Sequence, residues 1–84
     1  MRPHGMISFC VAQGKDGTYN FTNKKFKGWI VCVTIDHFTA GMAFFVDGVK
    51  IPDEIHGQQY LTLMAAFQSD EWELKNQPQP QETK

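Results

Sequence analysis

Asp47-Gly48, set between the apolar run MAFFV and the short run VKI, constrains the fold of this chain more than any other feature. A two-residue hairpin loop of type I′ needs positive φ at both central positions, and Asp-Gly meets that need better than almost any other pair. Residues 29–51, WIVCVTIDHFTAGMAFFVDGVKI, therefore read as two consecutive β-hairpins. In the first strand, 29–35, alternation puts Trp29, Val31, Val33 and Ile35 on one face and Ile30, Cys32 and Thr34 on the other. Both faces are apolar enough for a central strand. Residues 36–41 form the loop, 42–46 the returning strand, and 49–51 the strand after the Asp-Gly turn. His37 and Phe38 in the loop, and Asp47 in the turn, stand at exposed ends and are candidate binding residues.

The flanking segments complete a small sheet. Residues 6–12 read as a strand, with Ile7, Phe9 and Val11 on one face. QGKDG at 13–17 turns the chain, and 18–22 follows with Tyr19 and Phe21 alternating against Asn20 and Thr22. These two strands predict an N-terminal hairpin. After Pro52, a helix over 53–68 is expected, with Asp53 and Glu54 in its first turn and Ile55, Tyr60, Leu63, Met64 and Phe67 mostly at three- and four-residue spacings. A strand over 60–67 turning into another at 72–75 is the alternative. The tail 76–84, NQPQPQETK, has no apolar side chain besides its prolines and reads as a disordered or polyproline-like end outside a single domain of 1–75.

The expected architecture is α+β: an antiparallel sheet of four or five strands, a meander of hairpins, with one C-terminal helix packed on one face. An all-β sandwich fragment is the second choice. A lone sheet of this size leaves an apolar face wet, which is why a covering helix is attractive. The opposite face is then left to carry whatever binds.

Composition removes several function classes. Eight basic and nine acidic side chains give a formal charge of −1, so no global field draws the protein onto nucleic acid or anionic lipid. No apolar stretch approaches the ~20 residues that span a bilayer, and no membrane partner is expected. The N-terminus shows no leader pattern, so the expected location is the cytoplasm. Two cysteines, Cys10 and Cys32, do not make a disulfide scaffold. Both fall in expected strands, and a bridge between them needs those strands to be neighbours, which the sequence leaves open.

Candidate chemistry is sparse. Histidines at 4, 37 and 56 lack the close spacing of a zinc site, and neither a metal nor a cofactor is expected. Cys32, Asp36 and His37 contain a nucleophile, an acid and a base in name, but Cys32 lies mid-strand and His37 in the following loop. Asp70, Glu71 and Glu73 read as a solvated acidic patch around Trp72. The richest surface segment is 19–29, where Tyr19, Phe21, Phe26 and Trp29 interleave with Lys24, Lys25 and Lys27. Aromatic faces stack on bases while lysines follow phosphates, so this segment is the candidate for single-stranded nucleic acid, or equally for a protein partner.

Trp29, Val33, Thr34 and Asp36, followed after a short loop by Phe44, Val46, Asp47 and Gly48, resemble a signature pair of strands in laminin G-like and other concanavalin A-like sandwich domains. The resemblance covers about a quarter of the chain, and a whole domain of that kind is far longer. It implies binding of glycans or proteins through loops. No calcium or sugar ligands carry over, because no matching loop motif stands in this sequence.

The expectation from these residues is a non-enzymatic protein-interaction module, such as a small inhibitor or adaptor docking on a larger protein. Glycan binding and single-strand binding through 19–29 are the alternatives. A homo-oligomer through a sheet edge is also expected to be accessible.

Overall fold

The computed structural model describes residues 1–37 and 39–76. A short 3-10 turn, Pro3–Gly5, leads into helix α1, Met6–Ala12. Strands β1 (Gly17–Asn23), β2 (Trp29–Asp36), β3 (Thr39–Val46) and β4 (Val49–Lys50) follow, then helix α2 (Gly57–Gln68) and strand β5 (Trp72–Asn76). The five strands form one antiparallel sheet in the order β4-β3-β2-β1-β5. The fold is α+β, as the sequence predicts.

The hairpin logic of 29–51 holds. Asp47 and Gly48 take φ values of 51° and 85°, and Val46 pairs with Val49 across them. Strand β3 starts at Thr39 rather than 42, so the β2–β3 connection shrinks to two residues between the paired Asp36 and Thr39, with His37 at φ 51°. Gly28, at φ 84°, lies directly against the Asp47 carboxylate, and its carbonyl accepts the Asp47 N–H at 2.9 Å. Any β-carbon at position 28 would collide with that carboxylate. Two adjacent turns are thereby locked together.

Residues 6–12 are a helix, not the expected strand, so there is no N-terminal hairpin. MISFCVA fits both periods: Ile7, Phe9 and Val11 alternate, but Met6, Phe9 and Cys10 also recur at helical spacing. Seven residues are too few to decide. The helix buries Met6 and Cys10 completely, packs Phe9 against the same core and leaves Ser8 outward, whereas strand alternation would put Ser8 with Met6 and Cys10 and Phe9 on the opposite face. It ends at Gly14, whose φ of 75° and N–H bond to the Val11 carbonyl close the last turn.

Near the C-terminus the helix and the second strand of the alternative reading are both present. The helix spans Gly57–Gln68, shorter than the expected 53–68, because Gly57 has φ 62° and a left-handed residue interrupts the helical run. Strand β5 then pairs with β1, and the expected tail beginning at 76 loses Asn76 to that strand. The remainder of the tail, 77–84, lies outside the described residues.

Tyr19, Phe21, Val31 and Val33 are fully buried on one face of the sheet, with Trp29, Ile35 and Trp72 nearly so. Met6, Cys10 and Ala66 of the two helices join them, and Leu63 packs alongside. Trp72 Nε1 donates to the Ala66 carbonyl at 2.8 Å, tying β5 to α2. Phe44 stacks between Phe67 of the helix and Trp72 of the sheet, at ring separations of 6.0 and 6.3 Å. The β1–β2 connection is held by Asn23, whose Oδ1 accepts the N–H groups of Lys25 and Phe26 while Nδ2 donates to Ser69 Oγ.

Candidate protein-binding face

Both helices lie on the same side of the sheet, because the residues they bury all share one parity of the strands. The other parity forms a second face over which no described helix lies. Strand register builds it row by row. One row runs Glu73, Thr22, Ile30, Phe45, Lys50 from β5 to β4; the next runs Asn20, Cys32, Ala43; a third runs Thr18, Thr34, Gly41. Ile30, Cys32, Ala43 and Phe45 are half-buried and make an apolar centre, while Thr18, Thr34 and Gly41 are exposed. The small side chains beside Phe45 leave a depression of about 460 Å³ lined by Thr18, Cys32, Thr34, Gly41, Ala43 and Phe45.

In the Asn20–Cys32–Ala43 row the polar groups engage one another. Cys32 Sγ donates to Asn20 Oδ1 at 2.9 Å, and Asn20 Nδ2 donates to Asn76 Oδ1 at 2.8 Å. Burial pushes the Cys32 thiol upward, so it stays protonated at neutral pH, the reverse of what a thiolate nucleophile requires. Cys10 lies under the helix-covered face, where burial pushes its thiol up to about 11. The two cysteines are both free and sit on opposite sides of the sheet.

The candidate residues read from the sequence scatter. Tyr19 and Phe21 are wholly inside the core, and the Tyr19 hydroxyl donates to the Lys15 carbonyl at 2.6 Å, so neither ring is presented to a partner. Phe26 is half-buried with its ring edge-on to Trp29 at 6.4 Å, and the Lys25 ammonium sits 5.7 Å from the Phe26 ring centre. Lys24 pairs with Glu73 at 3.6 Å in solvent, and Lys27 is exposed. The segment 19–29 therefore alternates between core and surface rather than forming one aromatic, basic surface. His37 Nδ1 lies 3.2 Å from Asp16 Oδ2, which also accepts the His37 backbone N–H. That pair borders an open groove of about 300 Å³ at the opposite end of the sheet from the Asp-Gly turn. Asp47 is exposed beside Gly28, and Phe38 lies outside the described residues.

Ile30, Cys32, Ala43 and Phe45 were not among those candidates. The alternation within 29–35 already placed Ile30 and Cys32 on a second apolar face; what it lacked was any indication that both helices would choose the first. Among the described residues no group of three or more His, Cys, Asp or Glu side chains is placed to hold a metal ion, and no helix is long and apolar enough to cross a membrane. Comparison with known protein families, curated proteins and solved structures finds no match for this chain.

Proposed function

We propose that this chain is a protein-interaction module that works by docking rather than by chemistry, and that its docking surface is the uncovered face centred on Ile30, Cys32, Ala43 and Phe45. The observation that supports this reading is the asymmetry of the sheet: one face is buried under two helices, while the other keeps an apolar centre half in water. An apolar centre bordered by Lys50 and Glu73 at the sheet edges and by threonines along the strands has the composition of an interface core and rim. Phe45, the largest side chain of the centre, is the natural anchor.

The test is affinity capture with the wild-type chain and Phe45→Lys in parallel. The expected result is a stoichiometric protein partner that the variant fails to retain, while its circular dichroism and melting curve stay those of a folded protein. Equal capture by both chains would remove this face from the function.

A further inference from the structure

Resting on the reading of the uncovered face as a docking surface, we infer that its partner is the same face of a second copy of this chain, packed about a two-fold axis that runs along β2. The central strand of a five-stranded sheet is the one place where such an axis superposes the two edges on each other. Charge supports this arrangement. Lys50 and Glu73 stand at the two ends of the Phe45 row, one on each edge strand, and the two-fold sets Lys50 against the Glu73 of the other copy, twice, where each Glu73 already lies 3.6 Å from its own Lys24.

Shape agrees with charge. The axis sets Phe45 against Thr22, Ala43 against Asn20 and Gly41 against Thr18, so the largest side chain meets a smaller one, while Ile30, Cys32 and Thr34 meet their own counterparts on the axis. Asn20 brings no stranded carbonyl into the contact, since Cys32 already donates to it. Asp36 also meets its counterpart, but at the solvated end of β2, where like charges are screened. Face-to-face sheets pack ~10 Å apart, a distance that long lysine and glutamate side chains span at the rim. A face about 20 Å wide, five strands at ~4.8 Å, lies toward the small end of stable interfaces, so a dissociation constant in the micromolar range is expected.

Sedimentation equilibrium of the purified chain tests the inference. The expected result is a mass of two chains that dissociates on dilution, weakened at least about thirtyfold by Phe45→Lys. Lys50→Glu and Glu73→Lys should each weaken it by roughly five- to tenfold, since each reversal touches two symmetric pairs. The double variant Lys50→Glu/Glu73→Lys should return to within about twofold of wild type. A wild-type chain that stays monomeric into the high-micromolar range overturns the inference, as does a dimer indifferent to Phe45→Lys or a double variant no better than the singles. A monomer that still captures another protein through Phe45 overturns the second copy and leaves the docking reading standing. A monomer whose Phe45 face binds only a single-stranded oligonucleotide or a saccharide overturns both.

Discussion

The two faces of this sheet are made by the same strands, one residue out of phase, and along β1 and β2 they differ sharply in burial, whereas along β3 Phe44 and Phe45 are alike half-buried. On the helix-covered side, Phe21, Val31 and Val33 have no exposed surface and every neighbour is apolar or hydrogen-bonded. On the other side, Phe45 and Ile30 are only half-buried, beside each other in a row with Thr22 and Lys50 and next to a row of Asn20, Cys32 and Ala43. Fold stability is concentrated in the first face. The second keeps apolar atoms of Ile30, Ala43 and Phe45 partly in water, where they contribute less to it. A half-wet phenylalanine within a tightly packed small domain is therefore more informative about binding than a buried one, which only reports packing.

The strongest way to break this contrast is to truncate one aromatic on each face. Phe21→Ala should cost about 3–5 kcal/mol, a large part of the 4–13 kcal/mol expected of a chain this size. Phe45→Ala, measured in dilute solution where self-association is absent, should cost under about 1 kcal/mol. Urea denaturation midpoints of the two variants decide it, and similar shifts would show that the faces are not energetically distinct.

A smaller effect is expected where helix and sheet are joined on the covered side. Trp72→Phe keeps most of the ring contacts with Phe44 but removes the Nε1 bond to the Ala66 carbonyl, at an expected cost of about 1–2 kcal/mol. Amide exchange over α2 should speed up together with the fall in melting temperature. If α2 exchanged as in wild type, its anchoring to β5 would have to lie elsewhere.

The cysteines sharpen the comparison by pH. Burial raises the Cys10 thiol from its ordinary 9.0 to about 11, so the folded state holds a proton that the unfolded chain releases. The stability linked to it is complete below pH 9 and is lost as pH rises toward about 11. Wild type should lead Cys10→Ala in melting temperature by most at neutral pH, and that lead should narrow across the alkaline window. In the native state a thiol reagent should also modify Cys32 before Cys10, because only Cys32 is partly exposed. The reverse order would place Cys32 under cover.

Local sequence was enough for the middle of the molecule. Asp47-Gly48 dictates its own turn through backbone sterics, and the alternation of 29–35 dictates which residues share a face, because both are properties of a few consecutive residues. The helix around Leu63 and Phe67 was legible for the same reason. The candidate site was much less so: Tyr19 and Phe21 belong to the core, and the half-buried centre at Ala43 and Phe45 went unread. Alternation says that Tyr19 and Asn20 point oppositely, but not which direction is solvent.

By itself, then, the sequence determined an antiparallel sheet built around the hairpins of 29–51 and a helix near the C-terminus. Tertiary structure decided that MISFCVA is helical, that 72–76 adds a strand beside β1, and that both helices cover the same face. The reason is physical: seven residues satisfy two periodicities equally, and the choice falls to the one that leaves Ser8 outside and brings Phe9 to the core beside Met6 and Cys10, against Tyr19, Phe21 and Val31, residues that meet them only once the sheet has formed.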